Sequence, residues 1–319
     1  MSTIQSLLSK TSALLDTYEA ELLLAHVLQT TREYIIAHPE KHVSPIGAFR
    51  FQRLISKRKN NIPIAYLTGH KEFYGLDFLV TTATLVPRGD TELLVELAVK
   101  ELATTPAYTF IDIGTGSGCI PIAIMDTIKP RRLVGVSPAG STRKHFFATD
   151  ISKRAIRVAK KNAKLHDTDI TFLHGNLLEP CIKPLTNYRL SPIDYRLIIT
   201  ANLPYLTMAQ YEEEPSIHHE PIGALVAANH CLALYEKLFE QLHSLLEIKD
   251  TPIKQVSVFF EIDPTQATQI RTLLTQFFPN AISMTHQDLS GNIRVVAARM
   301  GAASVLHPQQ LPTAIIKKQ

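Results

Sequence analysis

The chain has 319 residues, 45% of them hydrophobic, and a formal net charge of +4 at pH 7. This length suits one large domain with a smaller one, and the mild positive charge permits a nucleic-acid partner without requiring one. Three cysteines (Cys119, Cys181 and Cys231) lie far apart with no C-x-x-C pair, which argues against a disulfide framework or a zinc site. No apolar run reaches the ~20 residues of a membrane helix, so we expect a cytoplasmic protein with no membrane partner.

Residues 1–62 have the pattern of a small helical bundle. Apolar residues recur at helical spacing over residues 4–28. Ser44-Pro45 begins a further helix, which ends in the basic run 57–59. We interpret residues 2–60 as all helix. Because this segment contains no group of residues typical of a catalytic site, we assign the bundle to substrate recognition.

Glycine and proline interrupt short β-type runs over residues 63–84, which predicts a hairpin linker. A larger domain follows over residues 85–300, and its first helix is predicted at 91–102. Residues 301–319, with two prolines and a basic end, are interpreted as a loose tail.

From residue 108 the pattern alternates between strand and helix, which indicates a parallel sheet in an α/β fold. Two further runs are typical of a closing antiparallel hairpin. Residues 130–145, rich in Ser, Pro, Gly and Arg, are interpreted as an insertion loop rather than a strand. The predicted strands are 108–113, 145–149, 170–173, 196–201 and 255–262, then 281–284 and 293–299 in the hairpin.

A glycine-rich turn, Gly114-Thr-Gly-Ser-Gly118, follows the first predicted strand. A strand that turns tightly into a helix directs backbone N–H groups and the positive end of the helix dipole to one point. Alternating glycines allow a ligand to lie against bare backbone. The G-x-G-x-G spacing differs from the G-x-G-x-x-G of dinucleotide sites, so S-adenosylmethionine fits better than a dinucleotide.

Two acids accompany this turn. Asp112 precedes the first glycine and could hold the ammonium group of the cofactor through water or anchor the loop; both interpretations stay open. Asp150 ends the second predicted strand, where an acid can accept both hydroxyl groups of a ribose.

A second motif, Asn202-Leu203-Pro204-Tyr205, follows another apolar strand. A planar amide nitrogen is a poor nucleophile because its lone pair is delocalised, so a site that methylates it must hold both N–H groups. The Asn202 side-chain oxygen and the Leu203 carbonyl can accept them, and Pro204 restricts the direction of that carbonyl. Tyr205 can stack on a planar group. Positioning and charge stabilisation then carry most of the rate, with no base needed before transfer.

Two other features have simpler interpretations. The basic residues of 152–166 fit a solvated helix face. His218 and His219 are adjacent, face apart and have no obvious third partner, so no metal site is predicted.

These motifs together resemble the PrmC/HemK family, the release-factor glutamine N5-methyltransferases, over roughly residues 18–299. The resemblance implies a helical N-terminal domain, a hairpin linker and a Rossmann-like methyltransferase domain with a seven-stranded, mostly parallel sheet. It implies S-adenosylmethionine as cofactor and, as substrate, the glutamine of the Gly-Gly-Gln loop in bacterial-type peptide chain release factors. The matching stretches are Pro63–Gly69, Glu72–Gly75, Val86–Arg88, Asp90–Glu92, Asp112–Gly118, Ala148–Ser152, Asn202–Tyr205, Glu220-Pro221, Ala224-Leu225, Phe260–Ile262, Asp288–Gly291 and Arg294–Val296.

The site residues follow from the motifs and the resemblance together. The predicted cofactor residues are Asp112, Gly114, Thr115, Gly116, Ser117, Gly118, Asp150, Asn176, Leu177 and Asn202. The predicted substrate residues are Arg88, Glu92, Asn202, Leu203, Pro204 and Tyr205, with Asn202, Pro204 and Tyr205 catalytic. Three positions depart from the family pattern: Gly89 and Leu203 stand where it has proline, and Asn176 stands where it has an acid.

The main alternative is an adenine-N6 methyltransferase acting on RNA or DNA, because rRNA dimethyladenosine transferases share Asn-Leu-Pro-Tyr and a flipped adenine presents a similar planar amine. The N-terminal bundle, the Asp90–Glu92 segment and the modest charge argue against it. A cofactor-binding scaffold without turnover is a further alternative. We therefore expect a monomeric glutamine methyltransferase without a direct nucleic-acid partner.

Overall fold

Short helices form the first part of the chain, and a seven-stranded sheet covered by helices forms the rest. The computed structural model describes residues 2–105, 107–129, 144–187, 195–227, 232–248, 251 and 253–301. Most of the predicted insertion at 130–145 and nearly all of the predicted tail at 301–319 lie outside the described residues.

The N-terminal helices pack around one apolar core. Each begins after a polar residue whose side chain accepts a backbone N–H, which satisfies a donor that the first turn leaves unpaired. Residues 2–60 are not all helix, because two two-residue strands pair with each other. The elements are β1 (Ser2–Thr3), α1 (Ile4–Thr11), α2 (Thr17–Leu28), α3 (Arg32–Ala37), β2 (His42–Val43) and α4 (Pro45–Lys59).

The hairpin of the predicted linker is β3 (His70–Phe73) and β4 (Leu76–Leu79), preceded by a short helix, α5 (Ile64–Thr68). Tyr74 and Gly75 form its two-residue turn with φ of 53° and 75°, the left-handed conformation that matches the twist of paired strands. A 3₁₀ turn at Gly89–Thr91 then leads into α6 (Glu92–Ala103).

The predicted α/β sheet is confirmed. Five strands are parallel, and the last two add an antiparallel hairpin, giving the order β10-β11-β9-β8-β5-β6-β7. The strands are β5 (Tyr108–Ile113), β6 (Lys144–Asp150), β7 (Thr171–His174), β8 (Tyr195–Asn202), β9 (Ile253–Glu261), β10 (Ile282–Gln287) and β11 (Ile293–Gly301). The remaining helices are α7 (Cys119–Ile128), α8 (Lys153–Leu165), α9 (Glu179–Asn187), α10 (Met208–Glu213), α11 (Ala233–Leu246) and α12 (Ala267–Phe277).

The strand order reverses between β5 and β8. The chain runs from β5 outward to β6 and β7, then returns to place β8 on the other side of β5. Every residue of β5 is buried, as expected for a central parallel strand covered on both faces. In open α/β sheets a crevice for ligands forms at this reversal, beyond the carboxyl ends of the strands.

Asn162 on α8 ties the hairpin and the glycine-rich turn to the sheet. Its side chain is fully buried, accepts the Leu79 N–H at 2.8 Å, and donates to the carbonyls of Leu79 and Ser117 at 3.0 and 2.9 Å. The opposite face of α8 carries six exposed basic residues, which fits the solvated face predicted for it.

Candidate active site

A cavity of about 210 Å³ lies at the reversal of strand order. Its walls come from the glycine-rich turn, the segment before α6, the start of the Asn202 motif and a loop after Glu220. The residues that line it and are discussed below are Arg88, Thr91, Gly114, Thr115, Gly116, Ser117, Asp150, Asn202 and Pro204.

The glycine-rich turn and the Asn202 motif lie side by side at Gly114. A Cβ atom on Gly114 would lie 3.4 Å from the Leu203 Cδ2 atom and 3.7 Å from the Asn202 carbonyl, which are ordinary van der Waals distances. Glycine is favoured here by the backbone, because the residue has a φ of 73°. Gly118 instead faces α8, where a Cβ would come within 3.1 Å of Ala159.

Asp150 holds the glycine-rich turn while facing the cavity. Its Oδ2 accepts the Gly116 N–H at 2.9 Å, and its Oδ1 accepts the Ser152 N–H at 2.7 Å. Burial raises the pKa of Asp150, and these two backbone hydrogen bonds oppose the rise. Each carboxylate oxygen can accept a further donor.

Asp112 lies beneath the turn and does not line the cavity. It is fully buried, and its Oδ1 accepts the Thr200 hydroxyl at 2.7 Å. Burial raises the pKa of Asp112 to about 7. Three buried polar atoms here have no partner among the described residues: Asp112 Oδ2, Thr115 Oγ1 and Ser117 Oγ.

The Asn202 motif extends from the end of β8. The Asn202 Nδ2 atom donates to Thr91 Oγ1 at 3.3 Å, and Leu203 packs into the core. Tyr205 borders a second cavity of about 400 Å³, which shares Asn202 and Arg88 with the first. Burial raises the pKa of Tyr205 to about 12, so its hydroxyl stays protonated near neutral pH.

Arg88 lies where the two cavities meet. Its guanidinium forms an ion pair with the buried carboxylate of Glu220, which also accepts the Val86 N–H at 2.9 Å. Glu220 thus fixes the segment before α6. It was part of a motif but was not predicted as a site residue.

Besides Asp112, Gly118 and Leu203, three further predicted site residues line neither cavity. Glu92 accepts the Tyr74 N–H at 2.9 Å and so anchors the hairpin. Leu177 is buried with a φ of 53°, and its carbonyl accepts the Thr149 hydroxyl. Asn176 precedes it, and its carbonyl accepts the Glu179 N–H at 3.2 Å.

Sequence reasoning missed Thr91 and Glu261 as members of the site. Glu261 ends β9 directly beside Asn202 in the parallel register and is 2% exposed. Burial raises the pKa of Glu261 to about 7. An acid at the end of a buried strand, next to a strand that carries a functional motif, was the signal that could have identified it.

Within the described ranges, no group of three His, Cys, Asp or Glu side chains could hold a metal ion. The ring nitrogens Nε2 of His218 and His219 bond instead to the carbonyls of Tyr211 and Asn60, both at 2.7 Å. No helix in the same ranges is long and apolar enough to cross a membrane.

Comparison with known proteins identifies close relatives. The PrmC N-terminal domain family matches residues 3–69. A release factor glutamine methyltransferase of Bacillus anthracis is 30% identical over 290 residues, covering 89% of this chain and 93% of the relative. One from Aliivibrio fischeri is 31% identical over 279 residues, covering 87% and 88%.

Among solved structures, the fold is similar to that of the catalytic domain of human Mettl16, determined in complex with an RNA hairpin of the MAT2A 3′ untranslated region. The TM-score is 0.51, with 17% identity and coverage of 89% of this chain and 93% of that one. At this identity the likeness concerns the fold alone.

Proposed function

The chain belongs to the release factor glutamine methyltransferase family, and on this premise we propose that it methylates the glutamine of the Gly-Gly-Gln motif in peptide chain release factors. The proposed acceptor is the side-chain amide nitrogen N5, the methyl donor is S-adenosylmethionine, and the process served is translation termination. We further propose that the protein acts as a cytoplasmic monomer.

One observation carries the proposal: the Asn202 motif and the glycine-rich turn follow neighbouring strands and border the same cavity. A site for amide methylation needs acceptors for two N–H groups next to a place for the methyl donor. These two motifs supply both from adjacent strands.

The residues of the turn fit the proposed cofactor. The Thr115 and Ser117 residues line the cavity, and their buried, unpartnered hydroxyls suit a polar amino-acid tail, while the Asp112 carboxyl lies beneath them. The Asp150 carboxylate retains acceptor capacity for ribose hydroxyls. When bound, S-adenosylmethionine supplies an electrophilic methyl group.

The Asn202 motif would bind and orient the glutamine. Asn202 Oδ1 and the Leu203 carbonyl accept its two amide N–H groups, and Pro204 fixes the direction of that carbonyl. Held this way, the nitrogen would face the methyl group that S-adenosylmethionine supplies; as the N–C bond formed, the S–C bond of the donor would break, and the amide proton would pass to solvent. Orientation of this kind contributes much of an enzymatic rate.

We assign recognition of the release factor to the N-terminal domain, proposed as residues 1–62, with 63–84 as linker, 85–300 as catalytic domain and 301–319 as tail. A groove of about 580 Å³ supports this assignment, because it is lined by Tyr18 and Arg58 of the bundle and by Arg88 and Ile217 of the catalytic part. A protein substrate lying in this groove would extend from the bundle to Arg88, beside the cavity.

The test is a transfer assay with S-adenosylmethionine labelled in its methyl group. The acceptors are a bacterial release factor, the same factor with its Gly-Gly-Gln glutamine changed to alanine, and rRNA. We expect label on the intact factor alone. Label on rRNA would instead establish the adenine-N6 reaction.

Asn202→Ala is the matched variant in this assay. We expect transfer to fall at least a hundredfold, since the acceptor that orients the amide is lost. Cofactor affinity, measured by calorimetry, should change by less than about fivefold, a loss of under about 1 kcal/mol. An Asn202→Ala enzyme that retains wild-type turnover would refute the role of this residue.

A further inference from the structure

Arg88 lies where the groove and the two cavities meet. Among the described residues it alone borders all three: the groove of about 580 Å³, the cavity at the glycine-rich turn and the cavity beside Tyr205. A protein segment that lay in the groove and inserted a side chain into the first cavity would therefore pass directly over its guanidinium.

The Arg88 guanidinium is held on one side only. Its Nη2 atom donates to the Glu220 carboxylate, and the side chain makes no other hydrogen bond within the described ranges. The side chain is 42% exposed, so its remaining N–H donors are open to a ligand. Arg58, which lines the same groove, differs because its Nε and Nη2 atoms both bond to Glu19, at 2.9 and 2.8 Å.

Glu220 holds both the backbone and the side chain of the segment that carries Arg88. Its side chain is 1% exposed, and the carboxylate oxygen that does not contact Arg88 accepts the Val86 N–H at 2.9 Å. A buried carboxylate is tolerated when it is paired and hydrogen-bonded, and here one short segment supplies both partners. Glu220 therefore sets the direction in which Arg88 points.

The turn that carries Glu220 is itself attached to the N-terminal bundle. The Nε2 atom of the neighbouring His219 bonds to the carbonyl of Asn60, the residue that caps the end of α4, at 2.7 Å. The Glu220 N–H donates to the Ile217 carbonyl at 2.9 Å, which closes the turn. A short series of contacts thus joins the bundle to Arg88.

We propose that Arg88 binds a backbone carbonyl of the substrate loop, and that Glu220 is the positioning residue that directs the Arg88 guanidinium to it. This inference rests on the proposed function. The two glycines of a Gly-Gly-Gln loop have no side chain, so a protein recognises them through their backbone N–H and C=O groups. A guanidinium only donates, and the carbonyl oxygens are therefore the groups of these glycines that Arg88 binds.

The test measures methyl transfer to the release factor by Arg88→Met, Glu220→Gln and the double variant in the full-length protein. Methionine removes the donors and keeps an unbranched side chain, and glutamine keeps an acceptor for the Val86 N–H without the charge. We expect the KM for the release factor to rise about tenfold in Arg88→Met and about three- to tenfold in Glu220→Gln, because a charge-assisted hydrogen bond is lost or misdirected. The value of kcat and the KM for S-adenosylmethionine should change by less than about threefold, as expected when a contact to the bound substrate is removed.

The double variant decides whether Glu220 acts through Arg88. Once the guanidinium is absent, Glu220→Gln should raise the KM for the release factor no further, since residues in contact are not additive. Effects that multiply independently would overturn the positioning role. An unchanged KM for the release factor in Arg88→Met, or a rise confined to the KM for S-adenosylmethionine, would overturn the role of Arg88 toward the substrate loop.

Asp288→Asn is the matched control, because it makes the same acid-to-amide change at another arginine pair. Asp288 bonds to Arg294 at 2.8 Å, and neither residue lines the groove or the two cavities. The KM for the release factor should stay within about twofold of wild type in this variant. An equal rise in Asp288→Asn and Glu220→Gln would overturn the inference, since the loss of an ion pair anywhere in the catalytic domain would then have the same effect.

A second measurement needs no activity. Nitrogen-15 relaxation reports the mobility of arginine Nε–H bonds, and the signal of Arg88 is identified by its loss in Arg88→Met. We expect this bond to become more mobile on the picosecond-to-nanosecond timescale in Glu220→Gln and to stay unchanged in Asp288→Asn. Equal mobility in wild type and Glu220→Gln would overturn the positioning role.

Failure of the proposed function gives a different result. If the wild-type enzyme transfers no methyl group to the release factor, the proposed function fails, and the role of Arg88 toward the substrate loop fails with it. The relaxation measurement still judges whether Glu220 positions Arg88.

Discussion

Asp112 shows how a single buried acid makes stability depend on pH. Its pKa is about 7 in the folded protein, against an ordinary value of 3.8, because burial disfavours the charged form. Between these values the folded state holds a proton that the unfolded chain releases. The free energy of unfolding that Asp112 contributes therefore falls as the pH rises from about 4 to about 7, and is constant above that.

Asp112→Asn should remove this dependence, since asparagine can still accept the Thr200 hydroxyl but does not titrate. We expect the stability of the variant relative to wild type to increase by up to about 1.4 kcal/mol per pH unit across that window. Urea unfolding at several pH values from 4 to 8 measures it. A difference that is independent of pH would contradict the assignment.

For individual residues, the sequence was enough to predict the two motifs but not all of the residues that contact them. The glycine-rich turn and Asn202-Leu203-Pro204-Tyr205 were predictable because each follows its own strand directly. Thr91 and Glu261 were not, because they come to lie beside Asn202 only once two strands and a turn have come together. Glu92 carried a motif signal, yet its carboxylate bonds to the hairpin turn.

At the scale of elements, Asn162 connects α8 to the hairpin and to the glycine-rich turn. Asn162→Ala would leave the buried Ser117 carbonyl and the partly buried Leu79 carbonyl and N–H without their partner. We expect a loss of about 2–3 kcal/mol in the free energy of unfolding, the cost of buried polar groups left unpaired. Faster hydrogen exchange at the Leu79 amide should accompany it.

Lys161→Ala is the matched control, since Lys161 is the exposed neighbour on the same helix. It should change stability by less than about 0.5 kcal/mol. Similar effects of the two substitutions would mean that helix propensity, and not the buried amide, determines the cost.

Helices and strands were predicted correctly where the periodic pattern of apolar residues is strong, and were missed where the element has only a few residues. The second strand was correctly located near 145–149, because the run ends in an acid before a helix cap; it spans Lys144–Asp150. The pairing of β1 with β2 was missed, since two residues give no periodicity. The short helix α5 was missed because it lies between a proline and a glycine, which suggest a turn.

At the scale of the whole molecule, Glu101 joins α6 to three strands. It is 4% exposed and accepts from Arg196 at 3.2 Å on β8, from Ser257 at 2.8 Å on β9 and from Arg299 on β11. Glu101→Ala would leave the two guanidinium groups and the serine without their shared acceptor. We expect a loss of about 3 kcal/mol, the lower end for breaking a buried ion pair because both arginines retain some solvent contact.

Glu96→Ala, at an exposed position of the same helix, provides the comparison and should cost under about 0.5 kcal/mol. Thermal and denaturant unfolding both report the difference. If removing Glu101 proved as harmless as removing Glu96, the network would be incidental to the fold.

The overall topology was predictable because alternating strands and helices permit few arrangements, and the right-handed connection of parallel strands removes most of those. What periodicity does not encode is which strand ends become neighbours. That depends on the return of the chain across β5, and so the site appears only in the assembled sheet.

The reversal of strand order has a thermodynamic consequence. No single fragment of the chain contains the walls of the cavity, so a ligand that fits it discriminates between the assembled and the unassembled sheet. Binding of the ligand would then stabilise the folded state as a whole. It would add about 2.7 kcal/mol to the free energy of unfolding at a ligand concentration one hundred times the dissociation constant. The fraction of molecules that open and become accessible to proteases would therefore fall as the ligand concentration rises.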